Sequence, residues 1–292
     1  MDTPVVVFSD VDDALLDGPR SRAAVIEADE RLASEQIALV FCSSKTRAEL
    51  EAVRQDWGIF HPFICENGAG VFVPQRYFPF DVPYAREVAG YQAIEYGRPY
   101  ADVIDILHRA ANRLGIEVLG FSDMSVEQVA FECQLSLLRA RLAKLREYGE
   151  LFRIIDGGSS ARGRLRRALH AAHLACTNSG PYDYVGSPVD PGPGIGLLTA
   201  LYRRAREALI TIGVGSRKDD MTLLKQVDVP IAIESDSTWA RPSPATRMPG
   251  ARLAATAGIA GWLEELVGIV REARRRDRAR RQPIVRRPNV MT

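Results

Sequence analysis

The sequence predicts an α/β protein built on a doubly wound parallel sheet, with a second α+β domain inserted into it. Three observations carry that expectation. Short apolar runs alternate with segments of helical spacing near both ends of the chain. A block of different rhythm interrupts the alternation from Val73 to about Val185. Polar, chemistry-bearing strings stand directly after several of the predicted strands, where open α/β sheets meet their ligands.

The β-branched and aromatic run Val5–Ser9 predicts a buried strand ending at Asp10. From Arg20 to Leu32 the apolar residues Ala24, Val25, Ala28 and Leu32 share one side of a helix. Ile37–Cys42 predicts a second strand, Thr46 to Trp57 a second helix and Pro62–Cys65 a third strand. Gln75–Pro83, with its prolines and aperiodic aromatics, suits a linker. In the interrupting block, helices are expected at Tyr100–Leu114, Ser125–Phe131, Leu135–Tyr148 and Gly163–His173, and strands at Phe152–Ile155 and Leu174–Thr177. The earlier rhythm returns with a helix at Ile195–Arg206, a strand at Ala208–Val214, a short helix at Asp220–Gln226 and a strand at Pro230–Ile233. A Ser-, Pro- and Arg-rich loop at Glu234–Gly250 precedes a last helix from Gly258 to Arg276. The expected organisation is therefore a sheet domain in two parts, 1–82 and 187–270, an inserted domain at 83–186 and a basic tail at 271–292.

The 292 residues suffice for both domains, and 46% hydrophobic with 26% charged residues is ordinary for a globular chain. The longest apolar runs, such as Ile37–Cys42, fall far short of the roughly 20 residues a bilayer crossing needs, so no membrane association is expected. No basic segment followed by an apolar core opens the chain, which makes the cytoplasm the expected compartment. Cys42, Cys65, Cys133 and Cys176 are scattered without metal-type spacing, arguing against a zinc site or a disulfide framework. The last 22 residues hold nine arginines against Glu272 and Asp277. Such a tail could meet an acidic partner or nucleic acid, but Pro283 and Pro288 favour a solvated end of the last helix. Nothing in the sequence addresses the oligomeric state.

Asp10-Val11-Asp12 closes the first strand. Two carboxylates at this spacing can share one Mg²⁺ and one phosphate. Asp10 would attack phosphorus to form an aspartyl-phosphate, and Asp12 would protonate the leaving oxygen and then activate water. The metal would accept hard oxygen ligands and screen carboxylate from dianion. After the second strand, Cys42-Ser43-Ser44-Lys45-Thr46-Arg47 places hydroxyls and N–H groups at a helix start, a cradle for phosphate. Ser44 or Thr46 could equally serve as a plain helix cap there. Cys65-Glu66-Asn67-Gly68 carries a tight-turn signal, and in Gly120-Phe121-Ser122-Asp123 either Ser122 or Asp123 could cap the following helix. Asp219 or Asp220 could do the same for the helix after them.

The strings VVVFSDVDD, SSKTR, ENGAG, GFSDMSVEQVA and GVGSRKDD resemble those of the mannosyl-3-phosphoglycerate phosphatases, a branch of the haloacid dehalogenase-like (HAD) hydrolases. The resemblance runs from Val5 to about Val270, including the string GIAGW at 258–262. It implies a HAD-like core with a C2-type cap, Mg²⁺ as cofactor, and a small phosphorylated metabolite as substrate: mannosyl-3-phosphoglycerate or a related glycosyl or sugar phosphate. It further implies metal ligation by Asp10, Asp12 and Asp219 or Asp220, and phosphate binding by Ser43 with neighbouring Ser44 and Lys45. Glu66 and Asn67 would face the site, and Asp123 would line the substrate pocket from the cap.

The pattern is altered at several positions. Asp13-Ala14 replaces the Gly-Thr that follows the paired aspartates, and Ser216 replaces the leading aspartate of the family's GDxxND string. Pro191 stands where the family's phosphate-binding lysine belongs, and Ser179-Gly180-Pro181 where an arginine-bearing segment does. Lys218 is the expected substitute for the lysine, with Lys45 a second candidate. The altered positions also support an alternative: a HAD-fold protein that has lost phosphatase activity and binds a ligand or runs other chemistry in the same cleft.

Overall fold

The computed structural model describes residues 3–10, 30–158, 160–206, 208–215, 220–233, 252–254 and 266–276. The string at 258–262, the loop 234–250 and the tail beyond 276 lie outside the described residues, as does all but the end of the helix expected at 20–32.

Along the chain, strand β1 (Val5–Asp10) is followed by β2 (Ile37–Cys42), helix α1 (Arg47–Asp56), β3 (Phe63–Cys65) and β4 (Gly70–Pro74). Next come β5 (Arg86–Val88), β6 (Tyr91–Glu95), α2 (Tyr100–Leu114) and β7 (Glu117–Gly120). Helices α3 (Val126–Glu132) and α4 (Leu137–Ala143), strand β8 (Gly149–Asp156), helix α5 (Ala161–Ala171), β9 (Ala175–Ser179) and β10 (Tyr182–Gly186) continue the chain. It returns through α6 (Gly192–Ala205), β11 (Ile210–Gly215), α7 (Met221–Lys225), β12 (Val229–Ile233) and β13 (Arg252–Ala254), and residues 266–276 are helical.

Among the described residues these strands form a nine-stranded sheet in the order β13-β12-β11-β1-β2-β3-β4-β6-β5. From β13 to β3 every pairing is parallel, and β4, β6 and β5 extend the edge antiparallel. Strand β1 shows why the parallel part reads as unbroken apolar runs. Val5 and Val7 join one core cluster with Leu39, Phe41, Leu50, Trp57 and residues 266–270, while Val6 and Phe8 join the other with Val40, Ile64, Ile195 and Leu198. A strand buried on both faces has no polar alternation to show. The alternating α/β order predicted from sequence is present, and the inserted block carries its own antiparallel sheet, β7-β8-β10-β9. Its helices cover a core of Val103, Leu107, Phe152, Leu165, Leu169 and Val185.

The structure corrects several expectations. Strands β5 and β6 lie within 83–186 yet pair onto the large sheet through β4, so residues 86–95 extend the sheet rather than open the inserted domain. Both strands are largely half-buried, as befits a sheet edge, and the linker expected at Gln75–Pro83 lies between β4 and β5. The helix expected over Leu135–Tyr148 is only α4, because Arg146, Glu147 and Tyr148 are drawn into contacts with the large domain. Strands β7 and β10 had no prediction. Of the basic tail, Arg271 and Arg274 belong to the closing helix and pair with Glu35, and Arg274 also donates to the Thr3 carbonyl at 3.0 Å. Those two charges are therefore engaged by the core. Among the described residues no helix is long and apolar enough to cross a membrane.

A polar chain starts at His61, just before β3. The His61 Nδ1 lies 2.6 Å from the Tyr77 hydroxyl, which lies 2.8 Å from that of Tyr202. Buried Arg54 donates to the His61 carbonyl at 2.5 Å and sits 4.4 Å from the Phe63 ring centre. Burial, and then the Arg54 charge, push the His61 imidazole down from 6.5 to about 4. A base depressed by folding contributes stability above its unfolded pKa and loses it as pH falls through the folded value. Thermal melting is thus expected to decline between about pH 6.5 and 4, and His61→Gln should flatten that decline. Equal slopes in the two proteins would assign the acid sensitivity elsewhere.

Candidate active site

Strand β1 delivers Asp10 to the carboxyl edge of the sheet, in register with Cys42 at the end of β2. Beyond β2 the chain turns through Ser43, Ser44 and Lys45 into α1. The helix cap is Thr46, whose Oγ1 accepts from the Glu49 N–H at 3.1 Å while the Glu49 carboxylate accepts from the Thr46 N–H at 2.8 Å. That capping box satisfies the helix end without Ser43 or Ser44. The Ser43 Oγ accepts from the Lys45 N–H at 3.2 Å, which curls the loop and leaves both serines on the cavity wall.

After β3, residues Glu66, Asn67 and Gly68 form a single turn with positive φ at all three positions (45°, 60° and 96°). Two consecutive non-glycine residues in the left-handed region are costly and persist only where the surroundings over-determine them. Here the Asn67 N–H bonds the Ser43 carbonyl at 3.1 Å and the Glu66 N–H bonds the Lys45 carbonyl at 3.0 Å, tying this turn to the loop that follows β2. At the end of β11, Gly215 allows Asp220 to approach closely, since a Cβ there would stand 2.4 Å from the Cβ of Asp220.

These loops enclose one side of a cavity of about 470 Å³. Asp10, Cys42, Ser43, Ser44, Asn67, Asp190, Pro191, Asp220 and Thr222 line it from the large domain; Ala175, Thr177, Asn178 and Tyr184 line it from the small sheet. Its described lining contains three carboxylates (Asp10, Asp190 and Asp220) and no lysine or arginine. The Cys42 thiol registers the first and third of these: burial pushes it up, and the Asp10 and Asp220 charges push it further. Two hard carboxylates on the wall of one cavity, both acting on the same buried thiol, are oxygen donors of the kind a small divalent cation takes, so the donor chemistry fits Mg²⁺. Among the described residues no group of three or more His, Cys, Asp or Glu side chains is placed to hold a metal.

The structure thus brings together Asp10, Ser43, Ser44, Asn67 and Asp220 from the residues singled out in the sequence. Asp12, Lys218 and Asp219 lie outside the described residues. Lys45 is not on the cavity wall. Glu66 is 0% exposed and turns away from the cavity, accepting from the backbone N–H groups of Glu147, Tyr148 and Gly149 at 2.7, 3.3 and 3.0 Å. A ligand-facing role for its side chain is therefore corrected. Asp123 is corrected likewise: one oxygen accepts from the Gly120 N–H at 2.8 Å, the other lies 3.5 Å from His108, and neither reaches the cavity. Its loop wraps the buried Glu150, which accepts from Phe121 and Ser122 N–H groups and the Tyr100 hydroxyl. Ser125, not Ser122 or Asp123, caps α3. Tyr184, Thr177, Asn178 and Asp190 had no sequence signal of their own. The strand predicted at Leu174–Thr177 would have put Ala175 and Thr177 on one face, but not said which face met the site.

A parallel sheet with an aspartate at the end of β1, hydroxyls after β2, a carboxylate after β11 and an antiparallel cap over that edge defines a HAD-like hydrolase with a C2-type cap. Solved structures share this fold at low identity. The HAD-superfamily phosphatase BT1666 of Bacteroides thetaiotaomicron matches with a TM-score of 0.61 and 14% identity over 91% of this chain and 95% of that one. The HAD subclass IIB sugar phosphatase BT4131 matches with a TM-score of 0.56 and 14% identity over 93% and 98%. No family model matches the sequence. Curated relatives are more informative. The glucosyl-3-phosphoglycerate/mannosyl-3-phosphoglycerate phosphatase of Methanococcoides burtonii is 32% identical over 91% of this chain and 97% of its own length. Its namesake from Persephonella marina is 31% identical over 93% and 99%. The chain belongs to the glucosyl-3-phosphoglycerate/mannosyl-3-phosphoglycerate phosphatase family, and it is a phosphatase.

Proposed function

We propose that this phosphatase is Mg²⁺-dependent and hydrolyses glucosyl- or mannosyl-3-phosphoglycerate through an aspartyl-phosphate on Asp10. The observation that carries the reading is the convergence of Asp10, Ser43, Ser44, Asn67 and Asp220 on one cavity between sheet edge and cap. The named substrates of the two relatives supply the choice of phosphoester.

In the first half-reaction a carboxylate oxygen of Asp10 attacks phosphorus, the ester P–O bond breaks, and Asp12 gives its proton to the departing alkoxide. In the second, Asp12 takes a proton from water, the oxygen attacks phosphorus, and inorganic phosphate leaves with the Asp10 carboxylate restored. Ser43, with the N–H groups of its loop and of the Asn67 turn, would hold the non-reacting phosphate oxygens. Asp10, Asp12, Asp220 and Asp219 would hold Mg²⁺. When bound, the ion supplies the positive charge that lets a phosphate dianion approach a wall of carboxylates. Pro191 has neither charge nor an N–H to offer, so Lys218 is proposed to bring the remaining positive charge from the adjoining loop. Thr177, Asn178 and Ser187 bring hydroxyl and amide groups suited to a polyol to the cavity wall, beside Tyr184.

Phosphate release from both glycosyl-3-phosphoglycerates, measured with Mg²⁺, after chelation and after Mg²⁺ is restored, tests the proposal. The expected result is turnover that vanishes with chelation and returns with the metal. Turnover indifferent to chelation would remove the metal from the scheme, and no release from either compound would remove the substrate assignment.

A further inference from the structure

The turn that carries Asn67 on the cavity wall also carries Glu66 in the opposite direction, into the joint between sheet domain and cap. Glu66 is 0% exposed, and its carboxylate meets three consecutive backbone N–H groups of the cap and the Arg146 guanidinium at 3.2 Å. Arg146 in turn donates to the Gly149 carbonyl at 2.6 Å. Gly149 begins β8, where it is registered with Gly186 of β10, which is registered with Ala175 of β9. Two residues further along the same strands, Leu151, Tyr184 and Thr177 stand side by side. The Tyr184 hydroxyl fits only because Gly149 and Gly186 lack side chains: a Cβ would lie 2.2 or 2.6 Å from that oxygen. The carboxylate is thus connected by short, registered steps to the cap wall of the cavity.

We propose that Glu66 is a positioning residue for the phosphatase reaction: by clamping Glu147–Gly149 to the Asn67 turn, it fixes where Tyr184 and Thr177 stand over Asp10. The clamp acts on the cap side alone. The turn itself is held to the large domain by backbone bonds that do not involve the Glu66 side chain. Losing the carboxylate should therefore leave the phosphate loop in place and displace the roof. The consequence is selective, because a substrate that uses the roof for binding suffers and one that uses only the phosphate loop does not. A displacement of about 1 Å at such a wall can cost on the order of 100-fold in turnover.

The proposal rests on the hydrolase reading for its kinetic test. Glu66→Gln is compared with wild type on mannosyl-3-phosphoglycerate and on p-nitrophenyl phosphate, whose flat ring makes no polyol contacts. Expected are a loss of about 100-fold in kcat/KM on the former and a change within about threefold on the latter. Proportional losses on both substrates, as a smaller folded fraction would produce, overturn the proposal, and so does no loss on either. Gly149→Ala displaces the same roof without touching the carboxylate and must show the same split, which decides the matter if Glu66→Gln fails to fold. Amide hydrogen exchange at residues 147–149, read without substrate, is expected to quicken in Glu66→Gln. Unchanged exchange sinks the clamp even if neither phosphoester proves to be a substrate.

Discussion

Asp10→Asn is expected to lower phosphoester hydrolysis by at least about 10³-fold while leaving the fold intact. The substitution preserves size, so the packing of β1, whose Val5–Phe8 are at most 1% exposed, is undisturbed. The chemistry changes completely, since a neutral amide neither attacks phosphorus nor ligates a hard cation as a carboxylate does. Thermal melting is expected to stay close to that of wild type, because the substitution changes neither the size of the side chain nor the packing of the buried residues that precede it. Phosphate release and thermal melting on the same preparation check both halves. Turnover within a few-fold of wild type would place the nucleophile elsewhere; loss of turnover together with a collapsed melting curve would deny the comparison its meaning for catalysis.

The second large effect is on stability. Arg146→Met removes the cation beside Glu66, where the Arg146 side chain is 3% exposed and that of Glu66 is 0% exposed. Breaking a buried pair from one side leaves an uncompensated charge and costs about 3–5 kcal/mol. The loss should depend on pH, and its sign follows from Glu66. Burial raises that carboxyl above its ordinary value, while Arg146 and the N–H groups of Glu147, Tyr148 and Gly149 pull it back. A carboxyl raised by folding favours the folded state while protonated, and that advantage fades as pH rises through the folded value. Without Arg146 the value climbs further. The destabilisation should then be deepest at neutral and alkaline pH and shrink toward acid. Urea unfolding of variant and wild type across this range reads the difference, in which the His61 contribution cancels. Glu66→Gln combined with Arg146→Met should recover part of the loss, since two neutral groups need no partner charge. A destabilisation that is the same at every pH would exclude Glu66 as its source.

Local chemistry accounts for how far a linear reading went. The run Val5–Ser9, buried on both faces, is apolar without interruption, so its end at Asp10 and the site beyond it follow from a few adjacent residues. The same holds for Ile37–Cys42 and the serines after it. Resemblance to known strings added the expected type of cap and the expected substrate class, and relatives at 31–32% identity agree with the family assignment.

Direction and partnership were decided only in three dimensions. Asn67 and Glu66 are neighbours in one turn, yet one lines the cavity and the other clasps backbone 81 to 83 residues away. Nothing local distinguishes them, because what buries a carboxylate is a row of N–H groups and a guanidinium from another domain. Asp123 likewise reads as a pocket residue in its string, but serves its own loop because the buried Glu150 draws that loop inward. Tyr184 came to the site through strand register and through two glycines that make room for it. Positions along the chain set which chemistry is present; the packing of cap on sheet sets which of it faces the substrate, since burial and register depend on segments the local pattern does not contain.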